Sequence, residues 1–237
     1  MRMLCKIADL ITEVPEAGDL VPRCREYLYN ESNGADIVIR TEDFRPNTWE
    51  GISEDIYVYI KSGDHFYFHL LKHGGMMLHS SAVELDGKAY LFSADPGVGK
   101  STHARLWQQV FGEKVHVFND DKPALRCIDG VWYAYGTPWC GKDGININMK
   151  APVAGICFMK QAPENRIRRL STLEAAKKII AQTRRRFNQE RNLDLMLSCV
   201  DSLVRDIPVF ELENRPEPEA AQLSYETMRQ AAEEMGL

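Results

Sequence analysis

The sequence predicts an α/β fold with a mixed, hairpin-rich sheet flanked by helices, joined to a small N-terminal α/β lobe. An apolar strand, a glycine-rich loop and an amphipathic helix follow one another from Ala89 to Phe111. Asp-Gly pairs at 86–87 and 129–130 separate short apolar runs, which is typical of two-residue β-hairpins. Helical periodicity returns toward the C-terminus. We divide the chain into a lobe over 1–75 and a larger domain over 76–237.

Length, charge and cysteine content limit the classes of function. The 237 residues, 44% of them hydrophobic, can bury one full-sized core. The net charge of −5 argues against a nucleic-acid binder, which needs a basic surface. Charged residues within the first 14 positions and the lack of a long apolar run predict a cytoplasmic protein without membrane contact. The six cysteines are widely spaced, so we expect free, mostly buried thiols.

The N-terminal lobe is expected to contain strands over 1–10 and 35–41, with a helix near 19–29 between them. The aromatic-rich segment over 53–72 has ambiguous periodicity. We expect a helix there mainly after Gly63, because the next residue is an aspartate that can cap it. An aromatic stripe of this kind is usually core.

The first hairpin places a histidine beside the glycine-rich loop. With Asp86-Gly87 as the turn, Leu85 faces Lys88, and counting back along both strands sets His79 opposite Ala94, the first residue of the loop. A lone histidine is often structural, and this alternative stays open. Its position at the loop makes a chemical role about equally plausible.

The loop has the (Ala/Gly)-x4-Gly-Lys-Ser form of a phosphate-binding loop. Glycines let successive main-chain N–H groups surround an anion, and the N-terminus of the next helix adds its dipole. In such loops the lysine reaches the β- and γ-phosphates and the hydroxyl of Ser101 binds Mg²⁺. The alternative is a Pro-Gly turn before an ordinary helix. No Asn-Lys-x-Asp guanine motif is present, so the expected cofactors are ATP and Mg²⁺, bound by Ala94, Asp95, Pro96, Gly97, Val98, Gly99, Lys100, Ser101 and Thr102.

Two aspartates follow the next apolar strand, which spans 115–118. About twenty residues past a phosphate loop, Asp120 and Asp121 lie where a magnesium ligand and a proton acceptor belong. A turn in which an aspartate caps the main chain is the alternative.

The second hairpin brings a further segment to the two aspartates. Its register pairs Asp120 with Trp139, so residues 136–142 should return to the same edge of the sheet. In this segment Trp139 and Lys142 are candidate contacts to an acceptor substrate. For Trp139 a packing role is an equal alternative.

The C-terminal part is expected to alternate strands and helices. The expected elements are a strand over 153–159, a helix from the Ser171-x-x-Glu174 capping box to about Phe187, a helix over 190–205, a strand over 207–212 and a helix over 217–235. Solvated charge is the expected role of the arginine clusters, with contact to phosphate or to an acidic partner as the alternative. Candidates to stabilise a transferring phosphate are Arg105, Arg126, Arg168 and the run 184–186.

The order of parts from His79 to Asp121 resembles the HPr kinase/phosphorylase and phosphoenolpyruvate carboxykinase superfamily. The shared parts are a histidine that opens a hairpin, a phosphate loop at the hairpin's end, a helix, a strand and paired aspartates. An antiparallel partner precedes the loop strand, whereas an ordinary P-loop NTPase usually begins with that strand. The longer pattern from Leu78 to the Ser171 helix looks like compact HPr-kinase-like proteins found beside peptide-modification systems.

The resemblance implies an ATP-dependent kinase that phosphorylates a hydroxyl, with a serine of a peptide or small protein as the expected acceptor. It implies Asp120 as base, His79 as its partner, and Ser101 and Asp121 as magnesium ligands, with the roles of the two aspartates open to exchange. The C-terminal segment of true HPr kinases has no clear counterpart, so HPr is not the expected acceptor. A homo-oligomer is compatible with the resemblance, because HPr kinases form hexamers. The alternative function is a nucleotide-binding accessory or scaffold protein of a peptide-modification system, without phosphotransfer.

Overall fold

The computed structural model describes residues 2–31, 34–183 and 190–237. The helices are α1 (Leu20–Arg23), α2 (Glu54–Leu70), α3 (Lys100–Phe111), α4 (Thr172–Gln182), α5 (Glu190–Asp206) and α6 (Pro218–Glu234). The strands are β1 (Arg2–Ile7), β2 (Leu10–Pro15), β3 (Ile37–Val38), β4 (Gly75–Met77), β5 (Ser80–Leu85), β6 (Lys88–Ser93), β7 (His116–Asn119), β8 (Ala124–Ile128), β9 (Val131–Tyr135), β10 (Lys150–Gln161), β11 (Arg166–Arg169) and β12 (Val209–Asn214).

A 9-stranded mixed sheet forms the larger part of the fold. Its path is β4-β8-β9-β10-β6-β5-β7, and β12 pairs with the second half of β10 and carries β11 on its other side. Strands β6 and β12 run parallel to β10, whereas the remaining neighbours are antiparallel. The prediction of a mixed α/β fold with many hairpins is therefore confirmed.

Both predicted hairpins form with the predicted register. Leu85 pairs with Lys88 in the first hairpin, and Ile128 pairs with Val131 in the second. The turn aspartates Asp86 and Asp129 have φ of 52° and 51°, as two-residue turns of this kind require. The first register continues to the Ser80–Ser93 pair, so His79 and the loop lie at one end of the sheet.

Helices cover both faces of this sheet. Side chains alternate along a strand, so neighbours such as Leu91 and Phe92 of β6 enter different cores. The Leu91 core includes residues of α4 and α5, and the Phe92 core includes residues of α3 and α6.

A separate 3-stranded sheet, in the order β1-β2-β3, begins the chain. Residues 1–10, expected as one strand, instead turn at Ala8 and Asp9, whose φ angles are 51° and 59°. Positive φ is rare in residues other than glycine, so this turn has no strong local signal. The helix expected near 19–29 is reduced to α1 and a 3₁₀ turn over Arg25–Tyr27.

Helix α2 begins at Glu54, well before Gly63, after which the helix was expected. Ser53 caps it, because its Oγ accepts from the N–H of Ile56 at 3.3 Å. Gly63 lies inside the helix since Trp139 packs against it, and a Cβ at this position would lie 2.8 Å from Cδ1 of Trp139. The glycine reflects a close packing contact and marks no helix end.

The C-terminal elements largely match the expectation. The capping box of Ser171 and Glu174 opens α4, which ends at Gln182, with Thr183 as its C-cap. The expected end near Phe187 and the arginine run 184–186 lie outside the described residues. Strand β12 begins two residues later than expected, at Val209.

The cysteine prediction is confirmed. All six cysteines lie in described parts of the chain and are free, and all are buried except the half-buried Cys127. None of the helices in the described ranges has the length and apolar character needed to cross a membrane.

The contact between Gly63 and Trp139 gives a stability prediction. Gly63→Ala would gain up to about 1 kcal/mol of helix propensity. The added methyl would also clash with a buried indole, which costs about 1–3 kcal/mol in packed cores. We therefore expect a net loss of about 1–2 kcal/mol in urea unfolding. In a protein that already carries Trp139→Leu, adding Gly63→Ala should leave the stability unchanged or increase it. An equal loss of stability from Gly63→Ala with and without Trp139→Leu would contradict the contact.

Candidate functional site

The glycine loop, which we define as residues 94–102, joins β6 to α3. Its backbone turns at Gly97 and Gly99, whose φ angles are 82° and 117°. Such angles favour glycine, and they turn the chain so that α3 begins directly at Lys100. Unlike α2 and α4, which serine side chains cap, α3 has no side-chain cap at its N-terminus. Its first N–H groups therefore have no capping acceptor from the residue that precedes the helix.

The loop has room for an anion. No atom of the described residues lies within 4 Å of a Cβ built at Gly97, apart from its chain neighbours. Asp95, Pro96 and Gly97 are exposed, and Ser101 is half-buried in the first turn of α3. Open space, N–H groups at a helix start and a neighbouring hydroxyl fit a phosphate with a bound cation.

Lys100 is held at the start of the loop. Its Nζ donates to the carbonyl oxygen of Ala94 at 3.3 Å. Burial lowers the pKa of Lys100, and the negative charges of Asp121 and Asp95 partly oppose this shift. One ammonium group therefore lies in the field of both carboxylates.

His79 forms a hydrogen bond with Asp121. Nε2 of His79 lies 2.9 Å from Oδ1 of Asp121, and the ammonium of Lys122 contacts the other carboxylate oxygen. Burial alone would raise the pKa of Asp121, but the hydrogen bond from His79 and the charge of Lys122 hold this pKa well below its usual range. The carboxylate is therefore ionised at neutral pH. The expected pairing of His79 with Asp120 is corrected, because the histidine contacts Asp121.

Asp120 contacts the returning segment and not the histidine. Its Oδ1 accepts from the N–H of Gly141 at 2.6 Å, and the residue is only 6% exposed. Burial raises the pKa of Asp120, and the Gly141 hydrogen bond limits the rise. A Cβ at Gly141 would lie 2.8 Å from Oδ2 of Asp120, so a larger residue at this position would displace the carboxylate. The geometry gives Asp120 a structural contact and leaves Asp121 facing His79.

Asn119, which is not among the predicted site residues, holds the main chain of the turn that carries the two aspartates. This residue is fully buried, and its Oδ1 accepts from the N–H groups of Asp121 at 3.1 Å and Lys122 at 2.7 Å. Its Nδ2 donates to the carbonyl oxygens of Thr137 and Trp139, both at 3.2 Å. An asparagine directly before a turn often bonds the main chain two residues on, and this signal could have identified Asn119.

Gln182, also missed, connects the histidine to the glycine loop. Its Oε1 lies 3.1 Å from Nδ1 of His79, and its Nε2 donates to Oδ1 of Asp95 at 2.9 Å. The main-chain N–H of His79 donates to the carbonyl oxygen of Gln182 at 2.9 Å. Nothing in the sequence signals this role, because the residue comes from the end of α4, 103 positions from His79.

A cavity of about 550 Å³ lies beside the His79–Asp121 pair. Its volume falls within the range of about 300–1,000 Å³ that is typical of small-molecule sites. Gln182 lines the cavity and also donates to Asp95 of the glycine loop, so the cavity and the loop are neighbours. The lining residues are Trp49, Ile60, Lys61, Asp64, Met77, His79, Asp121, Lys122, Ala181, Gln182 and Thr183.

The two candidate substrate contacts lie elsewhere. Trp139 is 1% exposed, stacks on Phe66 at 4.9 Å between ring centroids, and donates from Nε1 to Oγ of Ser62 at 3.0 Å. It is a core residue, so the packing alternative is the correct one. Lys142 is exposed and does not line the cavity.

The described candidate arginines have other partners. Arg126 is buried and donates to the carbonyl oxygens of Ala8 and His73. Arg168 pairs with glutamates of α4 and β12. Arg105 forms an exposed pair with Asp143 at 3.1 Å. Within the described ranges, groups of three or more histidine, cysteine or acidic side chains that could hold a metal ion do not occur.

Comparisons with known proteins give a family match and a weak structural likeness. An Hpr(Ser) kinase/phosphatase from Coxiella burnetii is similar over 68% of this chain and 92% of its own, with 11% sequence identity and a TM-score of 0.41. No curated protein matches the chain.

The model of the family described as SynChlorMet cassette protein ScmC matches residues 53–215, which include the glycine loop, His79, both aspartates and Gln182. The chain therefore belongs to the ScmC family of SynChlorMet cassette proteins.

Proposed function

We propose that this protein is an Mg-ATP-dependent phosphotransferase that transfers the γ-phosphate to a hydroxyl group. The carrying observation is that a cavity of about 550 Å³, lined by His79 and Asp121, lies next to the glycine loop, since Gln182 lines the cavity and donates to Asp95 of the loop. Phosphoryl transfer requires a nucleotide on one side of the reacting phosphate and an acceptor on the other. We assign the nucleotide to the loop and the acceptor to the cavity, because the carboxylate of Asp121 lines the cavity and also interacts electrostatically with Lys100 of the loop.

The nucleotide is assigned to the glycine loop, residues 94–102. The uncapped N–H groups of α3 and the ammonium of Lys100 suit the β- and γ-phosphates. Ser101 would hold Mg²⁺, which needs few protein ligands because phosphate and water supply the others. The ion would neutralise charge on the phosphate oxygens.

Asp121 is assigned to the acceptor hydroxyl, in place of Asp120. Its low pKa makes it a weak base, but an ionised carboxylate can accept the hydroxyl's hydrogen bond and orient the oxygen from the moment of binding. The transition state of phosphoryl transfer is loose, so the proton can leave late and orientation matters most. His79 keeps the carboxylate in place, and Gln182 keeps the imidazole in place.

A serine of a peptide or small protein is the proposed acceptor. The family description names a cassette protein, which fits an enzyme that acts on a product shared with other cassette members.

The second candidate function is a nucleotide-binding scaffold that transfers no phosphate. Incubation with radiolabelled ATP, Mg²⁺ and pools of serine-containing peptides separates the two functions. Tight Mg-ATP binding without labelled peptide would support the scaffold.

The two neighbouring aspartates provide a matched pair of variants. Asp121→Asn should reduce peptide labelling by at least about 100-fold, because the peptide hydroxyl can no longer donate its hydrogen bond to a charged carboxylate. Asp120→Asn should stay within about 5-fold of the parent, since an amide oxygen can still accept from Gly141. Mg-ATP affinity, measured by calorimetry, should change little in Asp120→Asn. The opposite ranking of the two variants would return the base role to Asp120.

Lys100→Ala should weaken Mg-ATP binding by about 10- to 100-fold, as expected for the loss of a charge-assisted contact to phosphate. The measurement is a thermal-shift titration with Mg-ATP. Lys114→Ala provides the control, because this exposed lysine follows the far end of α3. An unchanged affinity in Lys100→Ala would remove the nucleotide from the glycine loop.

Gln182→Leu should reduce peptide labelling by about 3- to 10-fold, because it retains the side-chain volume but loses the bonds to His79 and Asp95. Gln182→Glu should in addition weaken Mg-ATP binding, since its carboxylate would face that of Asp95. Lys177→Ala, an exposed change on the same helix, is the control. Equal rates for all three proteins would show that Gln182 has no positioning role.

A further inference from the structure

The cavity beside the His79–Asp121 pair has a mixed lining that suits a particular kind of molecule. Its apolar side chains are Trp49, Ile60 and Met77. Its charged groups are largely paired with one another, as in the Lys61–Asp64 pair at 3.5 Å and the contact between Lys122 and Asp121. A compound with a large net charge would therefore find no unbalanced opposite charge in the lining.

Trp49 is the most unusual of these residues. It is 41% exposed, whereas the other three tryptophans of the chain, Trp107, Trp132 and Trp139, are at most 2% exposed. An exposed indole at a cavity rim is a frequent anchor for binding, because it offers a large, rigid apolar surface.

The loop that carries Trp49 is ordered by its own hydrogen bonds. Oδ1 of Asn47 accepts from the N–H of Trp49 at 3.1 Å, and Nδ2 of Asn47 donates to the carbonyl oxygen of Ile52 at 3.1 Å. The indole meets the ring of Tyr57 edge-on at 5.4 Å, and the ammonium of Lys61 lies 4.9 Å from its centroid. These contacts hold the indole at the rim before any ligand binds, which lowers the entropic cost of binding.

We propose that this cavity binds the phosphate acceptor as a serine-containing peptide unit whose neighbouring side chain is apolar or aromatic, with Trp49 as the contact that selects it. The inference rests on the proposed phosphotransfer, since it assigns the acceptor side of the same site. The serine hydroxyl would face Asp121, and the neighbouring side chain would contact Trp49, Ile60 and Met77. Position 49 precedes the region matched by the family model, so this specificity element lies outside the matched part of the chain.

Acrylamide quenching of tryptophan fluorescence tests the site without a known natural acceptor. The probes are the blocked dipeptides N-acetyl-Ser-Phe-amide and N-acetyl-Ser-Asp-amide, added to the full chain with Mg²⁺ and a non-hydrolysable ATP analogue. Because Trp49 is the exposed tryptophan, quenching reports mainly on this residue. The Ser-Phe probe should protect Trp49 from acrylamide, and the Ser-Asp probe should protect it at least about 10-fold less well at equal concentration. Trp49→Phe should lose the quenchable signal, which checks its assignment.

Variants of the same residue test its role in selection. By calorimetry, Trp49→Ala should bind the Ser-Phe probe about 3- to 10-fold more weakly, and Trp49→Phe should restore most of the affinity because it restores an aromatic ring. Leu173→Ala is the control, since Leu173 is 65% exposed at the opposite end of α4 from the cavity. Neither substitution at position 49 lies in a packed core, so folding should be retained.

The outcomes separate this inference from the proposed function. Protection of Trp49 by the Ser-Phe probe without label transfer from ATP would support the cavity as a peptide site and reject the phosphotransferase. Label transfer to both probes at equal rates, or with no protection of Trp49, would support the phosphotransferase and reject the cavity as its selective acceptor site. If the probes neither protect Trp49 nor become labelled, the cavity inference is rejected.

Discussion

The antiparallel pairing of β5 with β6 is the constraint on which the candidate site depends. Because the turn contains two residues, the register is fixed, and the residue that precedes β5 must lie beside the residue that follows β6. His79 and Ala94 are those residues, so a histidine and a glycine loop meet at one end of the sheet. Strand β7 pairs with the other edge of β5 and brings Asp121 to the same end. Main-chain pairing of the three strands thus brings three segments to the same end of the sheet.

The side chain of a buried asparagine holds the turn in which the two aspartates lie. Asn119 bonds the main chain on both sides of the turn, and the turn directs Asp120 toward Gly141 and Asp121 toward His79. The electrostatic consequences differ. Burial raises the pKa of Asp120, whereas a histidine and a lysine keep Asp121 ionised. Adjacent residues of one chemical type therefore acquire distinct environments, and only one of them faces the cavity.

The N-terminal residues and the sheet share the packing that supports the site. Trp139 belongs to the segment held by Asp120 and Asn119, yet its ring lies against α2 in a core that also contains residues of β1 and β2. Helix α2 supplies Ile60, Lys61 and Asp64 to the cavity. Because residue 63 is a glycine, helix α2 can pack closely against the indole of Trp139 and also supply residues to the cavity. The position of the cavity wall and the packing of the N-terminal sheet are therefore linked through one tryptophan.

Local signals in the sequence determined the hairpins, the strand-loop-helix unit, the capping box of α4 and the position of His79 beside the glycine loop, because turn chemistry and register are short-range properties. They could not determine which aspartate His79 contacts, since two neighbouring carboxylates obey the same local rules. The role of Gln182, the core position of Trp139 and the long α2 were decided by contacts between segments many residues apart. Side-chain direction at the end of a strand and the filling of a core depend on what packs opposite, and only the tertiary structure contains that information.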